Sequence, residues 1–216
     1  DSGQLELQVS TRGLEAGTTA SHGAEDLSHD SPVWQLHRKY IMAPSSDGIM
    51  VVDQHVAHER IRYEEALDCF ETENGASQQL LFPFTVGGEH TEMEAIRESQ
   101  DLLKKLGFGI RDFGPNSVIV DSIPANLSNW DDGALFHRIV AEILEEKEVR
   151  DTLKEAVAAS YACHTSIRAG DKLSEKEMRI LVQRLLNTRK PNVCPHGRPI
   201  IVLIPLTELD RHFERS

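Results

Sequence analysis

The chain has 216 residues, of which 39% are hydrophobic and 27% charged, and its 35 acidic residues outnumber 23 basic ones to give a formal net charge of −12 at pH 7. That length accommodates one domain or two modest ones with a real core, while no stretch approaches the ~18 consecutive apolar residues of a membrane-spanning helix and the start lacks a basic-then-apolar signal. Three cysteines, Cys69, Cys163 and Cys194, are too few for a secreted disulfide framework, and the acidic balance opposes tight independent binding to a phosphate backbone. The chain reads as soluble and intracellular, with nucleic acid as a partner only if something else helps to hold it.

Residues 1–31 hold six acidic residues and one arginine among Ser, Thr, Gly and Ala, with no aromatic side chain. Such a segment buries too little apolar surface to offset its ordering entropy, so it is expected to be a disordered linker with another domain upstream. From Val33 the texture changes to short apolar runs, VWQL, KYIMAP and GIMVVD, the last two split by SSDG. These predict strands of one antiparallel sheet. Val56, Arg60, Tyr63, Leu67 and Phe70 then recur at helical spacing after Asp53, a candidate N-cap at the strand-to-helix junction. Cys69, beside Phe70, is assigned to the core. Past the breaker-rich ETENGAS, QQLLFPFTV reads as a strand that Pro83 confines to an edge or a strand end.

Met93, Ile96, Leu102, Leu103 and Leu106 predict a helix over 91–106 stopped by Gly107, and FGIRDFG with SVIVDSIP predicts a strand pair about GPN. Residues 132–148 carry Leu135, Ile139, Ile143 and Leu144 on one side and a run of acids on the other. An alanine-rich helix over 151–168 contains Cys163 and His164, and Ser174 with Glu177 forms a capping-box signature for a helix to about Leu186. After the loop NTRKPNVCPHGRP, PIIVLIPL is a strand able to return to the first sheet.

Ionisable side chains concentrate in DQHVAHERIRYE, residues 53–64. His55 and Glu59, four apart, share a helix face and reach a common ion; the alternative is a solvated face paired with Arg60 and Arg62. Glu64 falls on a different face. His58-Glu59 begins like a zinc-protease helix, but Arg62 stands where the second His must be, which excludes that motif. In Cys194-Pro195-His196-Gly197-Arg198-Pro199, a Cys and a His two apart either chelate metal or form a turn with an incidental thiol. Cys163 is either a small core residue or a further ligand. Together His55, Glu59, Cys163, Cys194 and His196 make a mixed N, O and S set that suits Zn²⁺ or a similar borderline ion.

These motifs, with Ala162-Cys163-His164 and Phe213-Glu214-Arg215, occur in the order found in one family. The sequence resembles the C-terminal region of MutL-type DNA mismatch-repair proteins, in the branch with a nicking endonuclease. That family has DQHA, two residues, Glu, four residues and Glu, where this chain has DQHV, Ala57-His58, Glu59, RIRY and Glu64; Val56 replaces the usual Ala. The tail ends in Ser216 without a terminal Cys, as in the bacterial form.

The resemblance implies an α+β fold of two lobes. Residues 32–75 and 150–216 would form a dimerisation lobe with an antiparallel sheet, helices and the metal site, and 76–149 an inserted, smaller α/β regulatory lobe. It further implies that His55, Glu59, Cys163, Cys194 and His196 are metal ligands, with Asp53 and Glu59 needed for nicking and Glu64, Arg198, Phe213 and Arg215 in supporting roles. Zn²⁺ would serve structurally or in regulation, and Mn²⁺ or Mg²⁺ in turnover. Gln78, Leu81 and Pro83 match the family's short motif for the replication sliding clamp. The expected function is metal-dependent nicking of double-stranded DNA in mismatch repair, by a homodimer that meets the clamp and other repair proteins in the bacterial cytoplasm, at the nucleoid and with no membrane partner. The alternative is a non-catalytic dimerisation and docking module with a structural zinc site.

Overall fold

The period-2 alternation of KYIMAP and GIMVVD sends Ile41, Ala43, Met50 and Val52 to one face, where all four are buried. In the computed structural model, which describes residues 31–72, 75–127, 130 and 133–215, these runs are β2 (Tyr40–Ser45) and β3 (Gly48–Asp53), preceded by β1 (Trp34–Leu36). The expected linker over 1–31 lies, all but Ser31, outside the described residues. Helix α1 (Gln54–Thr72) follows β3 directly, and Asp53 caps it: its Oδ1 accepts the backbone N–H groups of His55 and Val56 at 3.0 and 3.1 Å.

Next come the strand β4 (Ser77–Gly87), the helix α2 (His90–Leu106), the pair β5 (Gly109–Asp112) and β6 (Ser117–Pro124), and the helices α3 (Ala134–Val149), α4 (Leu153–Thr165) and α5 (Glu175–Leu186). The strand β7 (Ile201–Pro205) and the short helix α6 (Leu206–His212) close the chain. Gly107, with φ of 108°, ends α2 in the left-handed region, as the sequence predicts. The Ser174 and Glu177 capping box opens α5.

The strands form two antiparallel sheets. One has the order β1-β2-β3-β7, so PIIVLIPL does return to the first sheet, and the other has the order β4-β6-β5. The fold class is α+β. One core lies where the first sheet meets α1 and α5, with Ile41, Met50, Val52, Ile61, Val182 and Leu185 inside it. The other gathers the second sheet, α2, α3 and α4, and there Phe108 meets Phe136 edge-on at 5.4 Å.

Helix α1 enters both cores, with Val56, Ala57 and Ile61 in the first and Tyr63, Ala66 and Phe70 in the second. This departs from the single apolar stripe expected of it. Packed on several sides, α1 buries Gln54, His58, Glu59, Arg60 and Glu64 along with its apolar residues. Cys69 is half-buried against the second core rather than inside it.

Gln54 shows how such burial is supported. It is fully buried; its Nε2 donates to the carbonyls of Arg38 at 2.9 Å and of Arg168 and Asp171 at 3.2 Å, and its Oε1 accepts from Gln35 Nε2 at 2.6 Å. One side chain thus ties the β1–β2 turn, in which His37 and Arg38 hold positive φ, to the segment after α4. Gln54→Ala strands these groups, and we expect it to lower the unfolding free energy by ~2–3 kcal/mol, read as a lower urea midpoint at unchanged m-value.

Candidate metal centre

Three parts of the chain converge at the middle of α1. Glu59, buried on that helix, meets His196 from the loop before β7, with Glu59 Oε1 3.0 Å from His196 Nδ1. The other ring nitrogen, Nε2, lies 3.0 Å from Oε1 of Glu146, which is buried on α3. Both ring nitrogens of His196 thus face buried carboxylates, one from α1 and one from α3. Arg150 supplies positive charge, bonding Glu146 through Nε and the Pro195 carbonyl through Nη1 at 3.0 Å.

Cys163 on α4 joins the group through its electrostatics. Burial, and then the charges of Glu142, Glu59 and Glu146, push its thiol up to about 11. Burial likewise raises the Glu142 carboxyl, with Glu145 and Glu146 adding to the effect. Burial works to raise Glu146 as well, but hydrogen bonds from Arg150 and His196 outweigh it and hold this carboxyl low.

The loop that presents His196 is built on Cys194. The buried Sγ accepts backbone N–H groups from His196 at 3.3 Å and Arg198 at 3.2 Å, and the Gly197 N–H bonds the Cys194 carbonyl at 3.0 Å. Gly197 holds φ of 80°, the left-handed conformation such a turn needs. Two residues of α1 clamp the approach to this loop. Arg60 Nε donates to the Val193 carbonyl at 2.7 Å, and Glu64 accepts the backbone N–H groups of Arg189 and Lys190 at 2.7 and 3.3 Å.

His55, one turn before Glu59, uses Nδ1 on the Ile167 carbonyl at 2.8 Å. A carbonyl only accepts, so the proton sits on Nδ1 and Nε2 is the ring's acceptor nitrogen, the tautomer that second-shell carbonyls impose on metal-ligating histidines. The same residue's N–H bonds His58 Nδ1 at 3.0 Å. One peptide residue therefore fixes both imidazoles of α1.

The structure thus brings Glu59 and His196 together, with Cys163 close enough for the Glu59 and Glu146 charges to act on its thiol, Cys194 two residues from His196 on the loop, and His55 and Asp53 further toward the start of α1. Among the described residues, no three His, Cys, Asp or Glu side chains take up a metal-holding geometry; His196 instead spans the two carboxylates itself. The donor set of imidazole, carboxylate and thiol still fits a borderline divalent cation, because such an ion would relieve the same crowded negative charge that raises Cys163 and Glu142. The tail motif is elsewhere. Phe213, exposed, and Arg215 follow α6, which packs near Gly48, the end of β3 opposite Asp53.

The residues missed in sequence are Glu142 and Glu146, placed there in the run of acids opposite the apolar side of 132–148, and Arg150, which was given no role. Glu142 and Glu146 have the same i, i+4 spacing as His55 and Glu59, and that spacing was the available signal.

A two-sheet α+β domain with a His, Cys and carboxylate cluster gathered from distant segments defines the class. The family model for the MutL C-terminal dimerisation domain matches residues 33–173, and the chain belongs to that family. The protein named DNA mismatch repair protein MutL in Chlorobium luteolum is 41% identical over 195 residues, covering 90% of this chain and 31% of the relative. Those of Chlorobaculum tepidum and Chlorobium limicola are each 42% identical, over 85% and 97% of this chain and 30% and 33% of their own lengths. The chain spans about a third of the length of the curated relatives it matches.

His58 generates a pH prediction. Burial first, then the Arg62, Arg184 and His55 charges, lower it from 6.5 to about 3. Between those values the unfolded chain binds a proton that the folded chain refuses, so this stability is present above pH 6.5 and is lost progressively as the pH falls toward 3. We expect His58→Asn, which keeps an acceptor for the Ile167 N–H, to flatten that dependence by up to ~1.4 kcal/mol per pH unit, measured by urea unfolding of both proteins across the window.

Proposed function

We propose that this domain is the metal-dependent, DNA-nicking endonuclease domain of a bacterial mismatch-repair protein. The observation that carries the reading is the meeting of Glu59 and His196 at 3.0 Å, with Cys163 in the same electrostatic cluster, from segments more than a hundred residues apart. His55, Glu59, Cys163, Cys194 and His196 would hold the metal, with Glu142 and Glu146 as additional carboxylates beside them. When bound, a divalent ion supplies polarisation of a phosphoryl oxygen and neutralisation of the charge that develops on hydrolysis. Zn²⁺ suits the thiol-bearing part of the set, and Mn²⁺ or Mg²⁺ the carboxylates.

In this reading the residues of the chain do the positioning. Asp53, held at the start of α1 by the cap through Oδ1, presents a fixed carboxylate at the edge of the site. Glu64 and Arg60 hold the loop that carries Cys194 and His196, and Arg198 closes the same turn through its backbone. Double-stranded DNA would be the substrate; the bacterial relatives support a cytoplasmic location, and nucleoid association is part of the proposal.

Dimerisation belongs to the same proposal. The first sheet is apolar on both faces. Opposite the core, Trp34, Met42, Val51 and Val202 align across all four strands, and Trp34 and Val202 are exposed. A second copy covering this face would make residues 32–75 and 150–216 the dimerisation lobe and 76–149 the regulatory one.

The clamp motif also has support. Strand β4 is an edge strand, and its pairing jumps from Gln79 opposite Ser122 to Phe84 opposite Val120, so Leu80 to Pro83 bulge out against Asp121 alone. Leu81 and Phe82 are 86% and 81% exposed. Apolar side chains so placed are available to a partner rather than to this fold.

The second reading, a docking module with structural zinc, is favoured by the deep burial of Glu59 and Cys194. The full-length protein separates the two. Nicking of supercoiled DNA with Mn²⁺ is expected to fall at least ~100-fold in Asp53→Asn and in Glu59→Lys; wild-type rates in both variants would refute the nuclease, and chelation that unfolds the domain with no ion restoring cleavage would favour structural zinc. For the clamp, Gln78→Ala with Leu81→Ala is expected to abolish retention on immobilised clamp while leaving the melting temperature unchanged.

A further inference from the structure

A cavity of about 320 Å³ lies between α1, the start of α3 and the segment that leaves α4. Three arginines, Arg62, Arg138 and Arg168, and two histidines, His58 and His164, line it, against one carboxylate, Asp171. In a chain with 35 acidic and 23 basic residues, this inverts the overall balance. The Asp171 carboxylate closes the turn it stands in, its Oδ2 accepting the Arg168 backbone N–H at 2.7 Å.

Two side-chain nitrogens here lack hydrogen-bond partners. Arg62 pairs through Nη1 with the partly exposed Glu65 at 3.6 Å, yet its Nε is buried without a hydrogen bond. His164 Nε2 is buried in the same condition, its ion-pair partner Glu142 Oε2 standing 3.9 Å away. Three side-chain atoms are orphaned in this way among the described residues, and two belong to residues lining this cavity. His58 adds a second donor to Arg62 Nε, since its Nδ1 accepts the Ile167 N–H and its proton therefore sits on Nε2. Buried unpaired donors are costly and uncommon, and guanidinium groups gathered around a small polar cavity match the oxygens of a tetrahedral oxyanion.

We infer that this cavity binds a phosphate group, held by Arg62, Arg138 and Arg168 with His58 as a further donor. It shares a wall with the candidate metal centre: His164 follows Cys163 and faces Glu142, while Ile167 joins His55 to His58. A phosphate of a nucleic-acid backbone and a free phosphate offer the same chemistry there. The inference requires no metal, so it stands or falls separately from the nuclease reading.

The test uses the full 216-residue chain with a chelator present. Inorganic phosphate, titrated against chloride at matched ionic strength, is expected to raise the melting temperature and to broaden the phosphorus resonance. Arg138 and Arg168 are both exposed, so Arg138→Gln with Arg168→Gln leaves the fold intact and is expected to weaken phosphate at least ~10-fold. Lys104→Gln with Lys176→Gln, which removes the same two charges at exposed positions outside the cavity, binds as wild type. A short single-stranded DNA that displaces phosphate identifies the backbone as the source, and failure to displace it identifies the free ion. Equal effects of phosphate and chloride, or equal phosphate affinity in the wild type and the double variant, would overturn the inference.

Discussion

Helix α1 carries five polar side chains into the interior, and the fold is arranged so that each finds its partner on a segment remote in sequence. Gln54 takes the β1–β2 turn and the chain after α4, His58 the Ile167 N–H, Glu59 the His196 ring, Arg60 the Val193 carbonyl and Glu64 the Arg189 and Lys190 backbone. A buried polar group without a partner costs roughly 1–3 kcal/mol, several times what a typical surface contact returns. The two loops that bear functional side chains are therefore fixed by the same contacts that make burial of α1 tolerable. Stability and site geometry here have one cause.

The electrostatics of the candidate centre follow from that burial. Glu59 and Glu146 are both shielded from water, and His196 and Arg150 stand between and behind them. Where Arg150 and His196 donate hydrogen bonds, as at Glu146, the carboxyl is held low; at Glu142 and Cys163 burial first, and then neighbouring negative charge, raises the group. An ion pair this enclosed is weak grounds for stability, since desolvation offsets the attraction. Its use is to hold charge in a defined place, which suits a site that exchanges protons for a cation.

Around this centre the chain separates its surfaces by chemistry. The first sheet has an apolar outer face, the edge strand β4 pushes Leu81 and Phe82 into solvent, and a net acidic chain concentrates Arg62, Arg138 and Arg168 around one cavity. A net negative charge opposes binding to a phosphate backbone as a whole, so contacts with phosphate or with a partner must be local, as these surfaces are.

Much of this was legible in the sequence. Alternation in KYIMAP and GIMVVD, the cap at Asp53, Gly107 and the Ser174 and Glu177 box marked the elements, because strand pleat and helix ends obey rules that act over a few residues. The return of β7 to the first sheet was open from its apolar run, though its place beside β3 was not, and the spaced motifs of residues 53–64, 162–164 and 194–199 were enough to mark the family. What the sequence could not carry was the environment of each side chain. Glu142 and Glu146 stood in a run of acids opposite an apolar side, yet α3 packs against α4 and brings them over Glu59. The single stripe on α1 understated its burial, because a helix shared by two cores is covered on several sides. Gln54 and Ile167 carry no functional signature, though their hydrogen bonds set the turn and the histidine tautomers. Local periodicity is written in neighbouring residues; burial, charge and protonation depend on which distant segments meet, and only the tertiary structure decided those.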